Sequence, residues 1–191
     1  NIKRLLAYSS IAQAGYVLVG LAVLTAETTA GMLLHLAGYT ATNLGAFLAV
    51  IYFHNMTGKE ELGDFRGMYR RSLLMTLVLA ISLLSLAGMP LFAGFVTKFY
   101  LFTAAAASGM WWLISLAIAN SILSVYYYLL VLRQAFVTPE SEEEARRPRF
   151  RLPLHATASL TVLAALVLWI GVYPALFVEA AEAGARTLFG G

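Results

Sequence analysis

Apolar residues run along this chain in blocks of twenty or more, and the charged residues gather between the blocks. The blocks fall at about 5–24, 30–53, 73–107, 110–132 and 154–173, each long enough to cross a bilayer core of about 30 Å as a helix. Strand-like alternation over ten-residue segments is missing, which argues against a membrane β-barrel. The pattern therefore predicts an all-α fold, a polytopic membrane helix bundle.

One block does not fit a simple span. Residues 73–107 form a 35-residue apolar run, and a continuous helix of that length would extend about 50 Å. The segment AGMPLFAG at 87–94 offers a break, because Pro90 lacks an N–H and crowds the preceding turn while Gly88 and Gly94 permit open backbone. Lys98, the single charged residue in the run, follows about one turn later, near mid-membrane. An ionisable group costs at least about 2.5–3.5 kcal/mol at the centre of a membrane helix and marks a functional position by default. Two plainer readings stand beside that one: the lysine reaches the interface along its aliphatic stem, or it neutralises a carboxylate on a neighbouring helix. The break likewise reads either as a packing kink or as the discontinuous helix of an ion site.

The second block carries His35, Tyr39, Thr42 and Asn43 on one helical face, with Ala46. These residues read either as a hydrophilic path or as hydrogen bonds that join helices. Gly31, Gly38, Ala41 and Gly45 line the adjacent face, where small side chains let another helix approach closely. Tyr8, Ser9, Gln13 and Tyr16 give the first helix a polar side, as Asn120, Ser124, Tyr127 and Tyr128 do for the fourth. The fifth, residues 154–173, is Ala-, Leu- and Val-rich and is expected at the periphery, facing lipid. Trp111, Trp112, Trp169 and Tyr173 fall near span ends, as interfacial anchors do. Glu179, Glu182 and Arg186 share one face of the tail, which predicts an amphipathic segment on the outer surface.

Composition agrees with this picture. The chain is 60% hydrophobic and 12% charged over 191 residues, too few charges to cover a water-soluble core. Zero Cys excludes disulfides and thiolate-held metal clusters within the chain. The net charge of +3 does not point to nucleic acid, since the basic residues flank spans. If each block crosses once, eleven Lys and Arg fall on one side (Lys3, Arg4, Lys59, Arg66, Arg70, Arg71, Arg133, Arg146, Arg147, Arg149 and Arg151) and Arg186 alone on the other. Two crossings by 73–107 would leave seven against five. The asymmetry favours one crossing, with loops 54–72 and 133–152 cytoplasmic and the C-terminus periplasmic. The loop 137–152, four Glu followed by four Arg, reads as a solvated connection. No phosphate-binding loop, HExxH or nucleophile elbow occurs, and His35, His54 and His155 are too scattered to suggest a metal site. The chain starts at Asn1 with no Met and no signal peptide, and reads as a fragment.

Four segments carry a family resemblance: KRLLAYSSIAQAGY at 3–16, HLAGYTATNLGAF at 35–47, LSLAGMPLFAGFVTKF at 84–99 and NSILSVYYY at 120–128. In this order they resemble the antiporter-like membrane subunits of respiratory complex I, over about residues 1–175. The resemblance implies an inverted pair of five-helix repeats, each with one broken helix. Residues 1–136 would form four spans of the second repeat, 137–152 a cytoplasmic loop, and 153–191 a peripheral span with the amphipathic tail. Lys98 matches the lysine of the second broken helix, on the outward proton path, and His35 matches the histidine of the central hydrophilic axis. Tyr39 and Asn43 stand where some relatives carry a second histidine and a lysine, which suggests bridging by water. The first repeat, with its Glu and Lys pair, is absent from this sequence, and no long lateral helix follows residue 191. The implied function is proton translocation in the bacterial inner membrane, within an NADH:quinone oxidoreductase. The implied partners are the lipid bilayer and other membrane subunits of the complex, which would hold NADH, FMN, iron–sulfur clusters and quinone; this chain would bind no cofactor, metal or nucleic acid. A multisubunit cation/proton antiporter and a structural membrane spacer are the alternative readings.

Overall fold

A computed structural model of the chain describes residues 1–138 and 148–189. Among these the regular elements are helical: α1 Ile2–Val23, α2 Ala26–Thr57, a 3-10 turn at Leu62–Phe65, the short α3 Met68–Arg71, α4 Leu73–Ala87, α5 Ala93–Ala107, α6 Trp111–Phe136, α7 Leu154–Val172 and α8 Ala175–Leu188. The chain is an all-α membrane protein. α1, α2, α6 and α7 are each long and apolar enough to span a bilayer, whereas α4 and α5, 15 residues each, are short. Each short helix rises only about 22 Å, so the two cross the core together.

Helix ends follow local chemistry. Asn1 caps α1 by accepting the Arg4 N–H, and Thr25 with Thr28 forms a reciprocal capping box at the start of α2. Gly58, φ 68°, closes α2. These caps lengthen α2 to 32 residues, beyond the apolar block at 30–53, because a capped helix continues past the lipid core into the polar region.

The connections pair up at one end of the bundle. The Ile2 N–H donates to the Glu60 carbonyl at 3.0 Å, and Lys3 Nζ lies 2.7 Å from the Glu60 carboxylate. Arg66 Nε donates to the Thr138 carbonyl at 3.3 Å, and the Phe150 N–H to the Arg71 carbonyl at 2.9 Å. Phe65 stacks on Phe53 with centroids 4.0 Å apart, while the Arg71 guanidinium lies 4.0 Å from the Phe150 ring centre. The start of α1, the segment after α2, the end of α6 and the approach to α7 therefore share one end, so α4 and α5 together cross once. The glutamates of the 137–152 connection lie outside the described residues.

Close packing centres on α2. A methyl group on Gly31 would come within 2.9 Å of Leu101 Cα, one on Gly38 within 2.8 Å of Thr97 Cγ2, and one on Gly45 within 2.7 Å of Ser82 Oγ. The small-residue stripe is thus the bed on which both halves of the broken span lie, α5 on Gly31 and Gly38, α4 on Gly45.

α7 lies at the periphery as expected, with an exposed face that includes Val162, Trp169 and Val172, and its inner face packs on α2, α4 and α5, with Val167 and Ile170 buried beside Ala41 and Ala93. One expectation changes, at the tail. α8 is amphipathic, yet its small face does not lie on the outer surface: Ala181 and Ala185 are buried against Ala30 and Leu34 of α2. The reason is steric, since alanines on both helices permit contact that longer side chains would block. Tyr100 of α5 donates to Glu182 at 2.5 Å across this seam.

Candidate functional site

Two apolar clusters occupy the two ends of the bundle. Ile2, Leu6, Phe53, Met68 and Leu79 belong to one, and Tyr16, Val19, Met32, Leu101 and Ile114 to the other. Between the two lie buried polar positions of α1, α2 and α6: Ser9 and Gln13, His35 and Thr42, Ser124. Thr97 and Lys98 of α5 join them. A polar layer thus crosses the middle of the bundle, with the broken span at its centre.

The break spans 88–92. Gly88 is left-handed with φ 83°, and its N–H bonds to the Ser85 carbonyl at 2.9 Å while the Met89 N–H reaches back to Leu84 at 3.0 Å. This pair is the Schellman closure, which satisfies two of the last carbonyls of α4. The remaining two, on Leu86 and Ala87, have no backbone donor, because five residues separate the half-helices and Pro90, four after Leu86, lacks an N–H. Side chains take their place. Lys98 Nζ donates to the Leu86 carbonyl at 2.7 Å, Gln13 Nε2 reaches the same oxygen at 3.4 Å, and Ser121 Oγ donates to the Ala87 carbonyl at 3.5 Å. Lys98 also donates to Ser121 Oγ at 3.2 Å and lies 4.7 Å from the centre of the Tyr16 ring. A positive group is favoured at this position, because the C-terminal end of α4 carries about half a negative charge.

Lys98 is 4% exposed. Its nitrogen turns back toward the break rather than outward, which does not fit the reading in which it reaches the interface. Its other side forms the end of an apolar groove of about 520 Å³ between α5 and α6, lined by Phe95, Phe99, Phe102 and Ile118.

Ser85 joins the two halves of the span. Its hydroxyl accepts the Gly94 N–H at 2.9 Å and lies 3.0 Å from Thr42 Oγ1, which itself donates to the Gly38 carbonyl at 2.7 Å. Gly94 belongs to α5 rather than to the open stretch. A methyl group there would collide with the Ser85 carbonyl oxygen, so this glycine serves close approach and not flexibility. Pro90 sits at the turn between the halves, and the second left-handed residue of the break is Leu91, φ 75°.

The polar face of α2 divides. His35 Nδ1 lies 3.1 Å from Thr97 Oγ1, one residue before Lys98, and its ring meets Tyr16 edge-on with centroids 6.0 Å apart. His35, Tyr39 and Thr42 line a void of about 10 Å³ together with Gln13, Ser85 and Thr97, room for one water molecule. Asn43 does not reach this void. Its Oδ1 is buried without a hydrogen-bond partner among the described residues, because one residue along α2 turns the side chain about 100° away from Thr42. A second polar pair, Ser9 and Tyr128, is hydrogen-bonded between α1 and α6, and Asn120 donates to Tyr16 at 3.2 Å.

Ser85, Thr97 and Ser121 were not among the sequence candidates. Hydroxyls are common in membrane helices, so their type gave no signal. Their spacing from the break and from Lys98 was the available clue, since Thr97 precedes the lysine and Ser121 lies on the polar side of α6.

Discontinuous helices near the bilayer midplane recur in membrane transporters, and this all-α bundle has one such span, with a buried lysine at the carbonyl end of its first half. The family model described as "NADH:quinone oxidoreductase/Mrp antiporter, TM" matches residues 1–124, and the chain belongs to that family. It is 46% identical over 143 residues to NAD(P)H-quinone oxidoreductase subunit 2 of Gloeobacter violaceus, covering 75% of this chain and 28% of that protein. It is 40% identical over 191 residues to NADH-quinone oxidoreductase subunit N of Heliobacterium modesticaldum, covering 99% of this chain and 39% of that one. The structure of respiratory complex I from Thermus thermophilus with bound aureothin contains a chain that aligns with a TM-score of 0.73 and 34% identity, over 94% of this chain and 40% of that chain. The sequence thus spans between a quarter and two fifths of the length of these relatives.

Proposed function

We propose that this chain is the C-terminal part of a proton-translocating membrane subunit of a bacterial NADH:quinone oxidoreductase, of the subunit N type, and that Lys98 is its proton-binding group. NADH oxidation and quinone reduction take place on other subunits, which hold the FMN, iron–sulfur clusters and quinone, so this chain contributes charge movement within the enzyme. Residues 1–136 supply four spans of the second repeat and 153–191 the flanking span and tail. The basic end of the bundle faces the cytoplasm.

The observation that carries this reading is the lysine nitrogen held 2.7 Å from a helix-end carbonyl that has no backbone donor, in the middle of the bundle. When charged, the amine is stabilised by the Leu86 carbonyl and the dipole of α4. When neutral, it needs no counter-charge in a low-dielectric interior. Small movements of the break therefore change which form is favoured. His35, Thr97, Tyr39 and Thr42 provide hydrogen-bonding groups on the other side of Gln13, and one water in the void they line would extend the connection. Asn43 is the weakest member of the proposed path, since it lies off the void.

The test is a Lys98→Met enzyme, assembled in its full complex and reconstituted in vesicles. The expected result is retained NADH oxidation with fewer protons moved per NADH. An unchanged ratio would reject the proposal and leave the structural-spacer reading. A second reading, a subunit of a multisubunit cation/proton antiporter, is kept because the family includes both classes. Copurifying flavin and iron–sulfur chains favour the oxidoreductase; their absence from an intact complex favours the antiporter.

A further inference from the structure

The open stretch between α4 and α5 contains a non-glycine residue with a left-handed backbone, Leu91 at φ 75°. Such a conformation persists only when its surroundings over-determine it. The surroundings here are the last turns of α7. Gly171 lies so close that a methyl group on it would collide with the Leu91 carbonyl oxygen and come within 2.6 Å of the carbonyl carbons of Leu91 and Phe92. Ile170, the residue before Gly171, and Val167, one turn earlier, are buried against Ala93, with Phe92 packed beside them. The backbone of α7 therefore rests directly on the backbone that joins the two half-helices, and a glycine sits at the point of contact.

This contact bears on the lysine. Leu86 lies two residues before the break and Lys98 six residues after it, so the path of 88–92 sets where the lysine nitrogen falls relative to the Leu86 carbonyl. We infer that Gly171 is a positioning residue for Lys98, and that α7 holds the break in the shape that brings the amine to the end of α4. The inference rests on the proposed role of Lys98 in proton movement.

The experiment uses the full-length subunit in its complex, reconstituted in vesicles, with protons moved per NADH measured across a range of pH. Gly171→Ala is expected to lower the ratio toward that of Lys98→Met and to move the pH midpoint of pumping. A ratio and pH midpoint unchanged in Gly171→Ala, alongside lost pumping in Lys98→Met, would overturn the inference and leave the proton-site reading standing. Normal pumping in Lys98→Met would overturn both. Should Gly171→Ala fail to assemble, Val167→Ala takes its place, since it loosens the packing on Ala93 without entering the backbone. A shifted pH midpoint then supports the inference and a wild-type profile overturns it.

Discussion

The nitrogen of Lys98 lies 2.7 Å from the carbonyl oxygen of Leu86, so this residue reaches back across the break of its own span to cap the helix half that precedes it. The cap and the proposed proton site are one contact. In the proposed cycle a change of charge on the amine would change the strength of the bond that joins the two halves, because hydrogen bonds from charged donors are roughly twice as strong as neutral ones.

Lys98→Arg separates the two roles. The guanidinium can still cap Leu86 but cannot lose its proton. Assembly and thermal stability should stay near wild type while protons moved per NADH fall as they do in Lys98→Met. Wild-type pumping by the arginine variant would count against deprotonation as part of the cycle.

Ser85→Ala removes the hydroxyl that accepts the Gly94 N–H. A buried donor left without a partner costs about 1–3 kcal/mol, and Thr42 keeps its bond to Gly38. The variant should unfold at a lower temperature in detergent by calorimetry. An unshifted transition would mean that another acceptor replaces the serine.

Glycines on the two faces of the bundle should respond oppositely. Gly31→Val drives a side chain into the Leu101 backbone, and overpacking of this kind costs about 1–3 kcal/mol. Gly15→Ala meets no atom within 4 Å and should stabilise α1 by about 0.4–1 kcal/mol, because alanine restricts the unfolded chain. Thermal unfolding of both variants, compared with wild type, checks the pair.

At the basic end, hydrogen bonds from Lys3 and Asn1 hold the Glu60 carboxyl below its ordinary 4.5. A carboxyl lowered in the folded state adds stability above its unfolded value and loses it as the pH falls through the folded value. Glu60→Gln should therefore be less stable than wild type at neutral pH, with the difference shrinking as the pH falls below the ordinary 4.5 and gone once it passes the lowered folded value. High salt should shrink it as well, since the pair is accessible to solvent. A difference independent of pH would show that the carboxylate charge is not what matters.

Much of the fold was legible from residue type alone. Hydropathy over twenty residues located α1, α2, α6 and α7, and Gly88 with Pro90 located the end of α4, because these are local properties. The glycine stripe on α2 announced close packing without naming its partner. Helix α8 was misplaced because an amphipathic pattern reports a polar face and an apolar one, and does not say whether lipid or protein covers the latter. Gly94 was misassigned for a related reason: in sequence a glycine that frees a turn is indistinguishable from one that admits a neighbouring carbonyl. Asn43 shares a helix face with Thr42 in a periodic count, yet the void that His35 and Thr42 line is narrow enough to leave it out.

The sequence by itself determined that this chain crosses a membrane several times, that one crossing is interrupted, and that a lone lysine follows the interruption, since each depends only on residues near one another in the chain. The tertiary structure decided what that lysine touches. Its partner is a backbone carbonyl, which every residue possesses and no letter of the sequence marks. The rotation and depth of α1, α5 and α6 bring Gln13, Lys98 and Ser121 to the one place where the broken helix leaves its carbonyl groups unpaired.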